Sequence, residues 1–526
     1  MKRFSLFLVM SIAMTLSTKA QDITDALRYS TDELTGSARV RAMSGAFGAL
    51  GGDISAISIN PAGSAIFTTS EAGATLGNFS TQNDNNFFNT LTTENNNKFD
   101  LSQGGFVFVL NNTNDKANWK KLSLGVNYDI TNNYSNSNFI AGINTNNSID
   151  QYFLAYANGV ELGIMDAGSY PDLDNVSNSQ YIIDYIYQYL GQYDGFAQQQ
   201  AFLAYQAYLI DPVSNDASNT GYVSNALYTN GVDQQYSLET TGANRKFTFN
   251  FGAQYKDFLH LGLNLNSHVI DFKKRTYLSE IGFDAYSSTG DYSTVQEIGF
   301  ENYLEVYGNG FSFQLGAIIK AGNNLRFGAT YDSPTWYSID EELSQGLFAV
   351  SVDDIGNEYD ADQVYPNITN VYETYKIKTS GKLSGSVAYV FGKKGLLSFD
   401  YSRKDYGSIK FKPENNSYFR SQNQVINNSL TTANTYRLGG EYRIDRFSLR
   451  GGYRFEESPY KNGVTVGDLT GYSLGVGYDF GATKLDISYD RAEQDSMYQL
   501  YSVGLTDASN ITTIFQNIMI SLNFKL

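Results

Sequence analysis

The 526-residue chain has no cysteine, only seven prolines, two histidines and two tryptophans. Without cysteine there is no disulfide framework and no attachment point for a lipoprotein anchor. Two histidines leave little from which to build an acid–base set, so an enzyme is not expected, and neither is a cofactor or a metal centre. His260 and His268 lie eight residues apart on one expected strand. At about 3.4 Å per residue they are roughly 27 Å apart, too far to clasp one haem iron, and they read as two hydrated side chains. Basic residues are also scarce, 37 against 54 acids. With Lys2, Arg3 and Lys19 removed, 34 bases against 54 acids leave a charge of −20. Such a chain repels phosphate backbones, which excludes nucleic acid as a partner. Past the N-terminus there is no run of eighteen apolar residues and hence no transmembrane helix.

What is abundant is aromatic and small: 41 Tyr, 34 Phe and 48 Gly. The chain opens with Lys2 and Arg3, then the apolar "FSLFLVMSIAMTLS", then small residues at Thr18 and Ala20. This pattern predicts a signal peptide over 1–20, cleaved before Gln21, and therefore export. Aromatic-rich, helix-poor, exported and long are the properties of an outer-membrane β-barrel, whose apolar residues alternate with polar ones along each strand.

The alternation is explicit. Leu122, Leu124, Val126, Tyr128 and Ile130 share one face. Leu259, Leu261, Leu263 and Leu265 share another, opposite His260, Asn264 and Asn266. Tyr472, Leu474, Val476, Tyr478 and Phe480 repeat the pattern, as do Ile514, Ile518, Ile520, Leu522, Phe524 and Leu526. Period two with one apolar face marks half-buried strands. A soluble β-sandwich would alternate too, but here the strands are long and many carry Gly on the polar face. Strands are expected near 70–81, 100–111, 119–131, 234–256, 258–273, 297–321, 323–332, 371–391, 395–412, 433–444, 447–455, 470–480, 483–490 and 513–526. That makes a 14-stranded antiparallel transmembrane barrel over 70–526. The linkers "NTNDKAN", "KDF", "AGNN", "GKKG", "DR" and "GAT" are short and alternate with long polar ones, as periplasmic turns alternate with outer loops. Among the long ones, "TQNDNNFFNTLTTENNNK" and "TNNYSNSNFIAGINTNNS" are low-complexity and read as solvated loops. Within the insert 134–232, "SQYIIDYIYQYLGQYDGFAQQQAFLAYQAYLI" has helical spacing and predicts a helical cap outside the membrane.

A fourteen-stranded barrel leaves a lumen. Residues 21–69 are too polar and Gly-rich to cross the membrane, and they are expected to fill that lumen as a hatch. Gly45, Gly48, Gly51 and Gly52 would permit tight turns, and Asn60-Pro61 would fix one. "GAFGALGG" is not a phosphate-binding loop, because no apolar strand precedes it and no Lys-Ser/Thr follows.

The stretch "GSARVRAMSGAFGALGGDISAISINPAGSAIF" resembles the N-terminal hatch of the FadL/TodX family of outer-membrane transporters for hydrophobic compounds. Asn60, Pro61 and Ala62 match that family's Asn-Pro-Ala motif, and Gly63 follows as in many members. The clear likeness covers about thirty-five residues. The chain departs in its length, mainly through the 134–232 insert, and in ending on Leu526 where an aromatic is commoner. The resemblance implies uptake of a hydrophobic ligand, long-chain fatty acid-like, through a hatch-plugged barrel surrounded by outer-membrane lipid. It also implies a lateral exit at a kink in the third strand, for which Asn132-Asn133 is the candidate here. A monomer is expected. The alternative is a FadL-like surface subunit that holds a secreted partner and transports nothing; a nonspecific porin is argued against by a lumen-filling hatch.

One hairpin yields a candidate ligand site. In "TYRLGGEYRIDRFSLRGGYRF" the alternation sends Arg437, Glu441, Arg443, Arg446, Arg450 and Arg454 inward. A turn at Asp445-Arg446 sets Glu441 opposite Arg450, Gly439 opposite Gly452 and Arg437 opposite Arg454. The last pair opposes like charges, which is destabilising unless an anion lies between them. A ligand carboxylate held by Arg437, Arg454 and Arg450 would serve, with Gly439 and Gly452 leaving room for an acyl chain. A salt bridge to a hatch acid such as Asp53 would serve equally.

Overall fold

The computed structural model describes residues 21–114, 116–174, 176–284, 294–352 and 361–526. The expected signal peptide, 1–20, lies outside the described residues. Fourteen long strands form the wall: β1 (Glu71–Phe87), β2 (Thr90–Asn111), β3 (Trp119–Asn133), β4 (Val232–Tyr255), β5 (Leu259–Ile281), β6 (Thr294–Ala321), β7 (Leu325–Asp332), β8 (Lys382–Val390), β9 (Gly395–Asp405), β10 (Thr432–Ile444), β11 (Phe447–Glu456), β12 (Val466–Asp479), β13 (Thr483–Gln499) and β14 (Ala508–Lys525). Each pairs antiparallel with the next, and β14 closes on β1 from Glu71↔Lys525 to Asn86↔Asn510. Closure removes the unpaired edges that lipid cannot solvate.

The side-chain alternation follows the expected parity. Leu122 and Leu124 are exposed on the outer wall, as are Tyr472, Leu474, Ile518 and Ile520. Asn517, Met519 and Ser521, on the opposite face of β14, are buried. This apolar outer belt is the surface of an outer-membrane barrel. All six short turns fall between the strand pairs expected to carry them.

The outer ends differ from expectation. The polar stretch 82–99 is a continuation of β1 and β2, joined at Phe88-Asn89, whose φ values are +47° and +64°. Part of the second low-complexity stretch is likewise a strand, Asn136–Asn144, paired with the outer half of β4. Beyond the bilayer both faces of a ladder meet water or polar groups, so no apolar period is needed. Side chains such as Asn83 and Asn85 bond instead to Asn136 and Asn138. The expected strand 371–391 is broken at Thr379–Gly381 into Tyr375–Lys378 and β8. After Pro334 the chain continues as Trp336–Val352 along the outer half of β6.

Residues 21–69 lie inside the barrel. They form helices α1 (Ile23–Arg28) and α2 (Ala38–Arg41) and two 3-10 turns, Ser55–Ser58 and Pro61–Ile66. The insert folds into α3 (Asp150–Ala157), α4 (Ser179–Tyr193) and α5 (Phe196–Gln206); α4 and α5 lie in the stretch whose spacing predicts helix, and α3 precedes it. Their apolar faces, with Phe153, Tyr187, Phe202 and Leu203, pack onto Phe300 and Leu347 of the extended wall. A second apolar cluster joins Ala26, Leu27 and Tyr29 of the hatch to Phe419 and Ile426 of α6 (Ser417–Ser429). Two apolar layers therefore cover the outer side of the lumen.

Candidate ligand chamber and its hatch

The Asn60-Pro61-Ala62-Gly63 motif is the point where the hatch is fastened. Asn60 is buried and caps the Pro61–Ile66 turn: its Oδ1 accepts from the Ala62 amide at 3.1 Å. Its Nδ2 donates to the Gly48 carbonyl at 2.6 Å and to the Ala317 carbonyl of β6 at 3.1 Å. One side chain thus ties two hatch segments and the wall. Pro61 occupies the first helical position, where its missing N–H costs nothing. Gly63 donates to the Asn60 carbonyl and accepts from Gly52.

The wall is shaped to receive this motif. Gly252, Gly262 and Gly316 stand in register across β4, β5 and β6. A Cβ on Gly262 would lie 2.1 Å from the Pro61 carbonyl carbon, and one on Gly316 would lie 2.1 Å from Asn60 Oδ1. Glycines on the polar face of these strands are therefore a slot for hatch backbone. A second slot, Gly439 and Gly452 with Gly475, receives Ala42–Ser44. Arg41 makes a paired contact with Asp490 at 2.8 and 2.9 Å, and Arg39 meets Glu441 at 2.9 Å. Charge-assisted bonds of this kind are the strong ones. Nothing in the sequence pattern marked these pairs, because they join the hatch to strands some four hundred residues away.

The register expected of the β10–β11 hairpin is the one observed: Glu441↔Arg450, Gly439↔Gly452 and Arg437↔Arg454. The environment differs from the expected acyl pocket in two ways. The space before Gly439 and Gly452 is filled by the backbone of Met43 and Ser44. The two opposed arginines share an anion of the chain itself, Glu456, at 3.6 Å from Arg437 and 3.5 Å from Arg454. Arg450 lies between Glu441 and Asp486, each at 2.7 Å. Asp53, the acid proposed as their partner, bonds Ser37 and Ser55 within the hatch.

Of the three arginines, Arg437 lines a cavity in the lumen, a chamber of about 150 Å³ between hatch residues 29–35 and strands β3 to β10. Lys382 and Lys404 reach into it from β8 and β9, with Asp32 of the hatch 3.1 and 3.3 Å away. Lys382 also meets Asp332 at 3.1 Å. Burial alone would raise the Asp32 carboxyl; the two ammonium groups outweigh it and hold the group below the ordinary carboxylate range. Asp400 accepts from the amides of Phe47 and Gly48 at 3.0 and 2.7 Å, fixing the inner floor. His268 is buried on the chamber wall, its Nε2 2.9 Å from Ser312 Oγ. His260 is fully buried, so it is not the hydrated side chain expected.

The wall beside the chamber is incomplete. The β2–β3 ladder runs from Asn111↔Lys121 to Gln103↔Asp129 and stops there, although both strands continue. β3 is irregular between Ile130 and Asn132, and Thr131, at that irregularity, lines the chamber. The expected break at Asn132-Asn133 coincides with the end of β3.

No protein-family model matches the chain, and no curated protein matches it. Solved structures do. A Pseudomonas aeruginosa FadL homologue is similar with a TM-score of 0.51 at 12% identity, covering 94% of this chain and 99% of that one. The P. putida toluene transporter TodX is similar with a TM-score of 0.50 at 12% identity, with the same coverage. The chain has the FadL-type fold.

Proposed function

We propose that the protein is an outer-membrane transporter that takes up hydrophobic small molecules. The observation that carries this reading is the combination of a lumen sealed by a fastened hatch with a side wall whose ladder is interrupted at the chamber. A sealed lumen excludes free diffusion of water-soluble solutes. A gap between β2 and β3 offers a way out sideways, and an apolar ligand gains free energy by entering lipid instead of water. The FadL-type fold is consistent with this role, and solved structures of that fold include a toluene transporter. The ligand would be caught at the outer surface, pass to the chamber, and leave between β2 and β3 as the hatch shifts. Among the three candidate arginines, Arg437 is assigned to the ligand; Arg450 is assigned to wall ion pairs and Arg454 to the pair with Glu456.

The alternative, a surface subunit that holds a partner protein, has one feature in its favour. Tyr181, Tyr189 and Tyr193 of α4 are exposed in a connected row of rings with Tyr185 and Tyr170. Uptake separates the two readings. Cells expressing the chain should accumulate at least one radiolabelled compound from a panel of fatty acids, alkyl glycosides and monoaromatics faster than cells without it. Equal rates across the panel at verified surface expression would overturn the transport reading.

A further inference from the structure

The chamber wall is unlike a slot for hydrocarbon. Of its 34 lining residues, 15 are Ser or Thr and only Leu34, Ile59 and Phe313 are Leu, Ile or Phe. An alkyl chain pressed against such a wall would leave its polar groups without partners. We propose that the chamber binds the neutral, hydroxyl-rich head group of an amphiphile, of the kind a glycosyl unit presents, while the apolar part of the ligand lies elsewhere. This rests on the transport reading and names the class of compound carried.

Three observations select a neutral polyol over a carboxylate. The first is charge. The cations of the chamber are Lys246, Lys382, Lys404 and Arg437, and its acids are Asp32, Glu33, Asp332 and Asp400. Each cation already has a carboxylate within 4 Å: Asp129 for Lys246, Asp32 for Lys382 and Lys404, Glu456 for Arg437. Four cations against four acids leave the lining with no net positive charge to attract a ligand anion.

The second is hydrogen-bond type. Tyr29 Oη, Ser30 Oγ, Asn244 Oδ1, Asp332 Oδ1 and Arg437 Nε are buried polar atoms on chamber residues with no partner among the described residues. Two of these only accept, one only donates, and two do either. A carboxylate is acceptor-only and would leave Asn244 and Asp332 unmet. A hydroxyl donates one bond and accepts two, so a small set of hydroxyls can serve all five.

The third is size. At 10–15 Å³ per water on this measure, a chamber of about 150 Å³ holds roughly ten waters, room enough for one sugar ring.

The test is binding to the full chain in nanodiscs, with hexyl glucoside, hexanoate, toluene and free glucose as probes. Hexyl glucoside should bind at least tenfold tighter than hexanoate or toluene, and tighter than glucose, which shares the head but lacks the tail. Thr330→Val with Thr435→Val, near-isosteric changes at the wall, should weaken hexyl glucoside about tenfold and leave toluene unchanged. Ser384→Ala should weaken it in the same direction should the double variant fail to assemble. Hexanoate binding as tightly as hexyl glucoside would overturn the proposal in favour of an anion site. Toluene binding tightest would overturn it in favour of a hydrocarbon site. Glucose binding as tightly as hexyl glucoside would overturn the amphiphile and leave a site for free polyols. Because binding is read without transport, failure of the cell-uptake panel would sink the transport reading while leaving this result standing, and the converse also holds.

Discussion

Replacing Asn60 with alanine isolates the fastening of the hatch from the stability of the barrel. The side chain makes three hydrogen bonds, to the Ala62 amide and to the carbonyls of Gly48 and Ala317, and it is 1% exposed. At about 1 kcal/mol net for each bond, the variant loses about 3 kcal/mol of docking free energy. At 1.4 kcal/mol per factor of ten, the undocked population rises about a hundredfold. None of the lost bonds belongs to the strand ladder, so the wall should be unaffected. Hydrogen exchange on the protein in nanodiscs reads both regions separately. The Gly52 and Gly63 amides, which bond within the hatch, should exchange about a hundredfold faster, and the ladder amides of β12 and β13 should not change. Asn60→Asp keeps the acceptor for Ala62 but loses both donors and sets a charge against two carbonyls, so it should loosen the hatch at least as much. Unchanged protection of Gly52 and Gly63 in Asn60→Ala would refute the assignment of Asn60 as the fastener. Faster exchange throughout β12 and β13 would show that hatch and wall are not separable.

The glycine slot gives a steric counterpart: Gly262→Ala, whose Cβ would meet Pro61 at 2.1 Å, should expose Arg39 and Arg41 to trypsin, while Gly385→Ala, with nothing within 4 Å, should not. Equal cleavage in the two variants would remove the slot from the account. Gly48→Trp should likewise leave the barrel folded but impair uptake, because a Cβ there already meets Ser386 Oγ at 2.0 Å; unchanged uptake at equal surface expression would count against it. Glu456→Gln should lower the thermal stability of the barrel by leaving Arg437 and Arg454 opposed, and adding Arg437→Gln should restore it; a drop that the second change does not relieve would show that the arginines are not what Glu456 serves. Protease-sensitive tags within 150–232 should be cut on intact cells and tags at 392–395 should not, and the reverse pattern would invert the orientation.

What could be read from the sequence was whatever a period of two encodes. Leu122, Leu124, Leu474 and Ile520 face outward as their parity requires, and the same rule, with a two-residue turn, yields the pairing of Arg437 with Arg454. Where the membrane ends, the rule ends too, which is why 82–99 and 136–144 read as loops although they are ladders. The Asn-Pro-Ala motif located the hatch, but not its grip. The glycines of β4, β5 and β6 are legible in the sequence only as small residues on a polar face; no local pattern ties them to Pro61, which packs against them. Glu456 has the inward parity of Arg454 and sits diagonal to Arg437, but it lies one residue past the expected strand 447–455, so the alternation was not carried as far as the acid that serves both arginines. The chamber escaped notice for a related reason. Its serines and threonines are spread over six strands, the segments that connect them and the hatch, and no local pattern unites them.

The central claim is that the hatch must shift for a ligand to pass, and the cysteine-free chain permits a direct test. Ser44 of the hatch and Ser473 of β12 have their hydroxyl oxygens 2.8 Å apart, and no other thiol competes for a bond introduced there. In Ser44→Cys with Ser473→Cys, uptake of whichever panel compound the parent carries should be abolished under oxidation and restored by reductant, with each single variant active throughout. Undiminished uptake by the oxidised, cross-linked protein would contradict the account, because ligand would then be passing a hatch that cannot move.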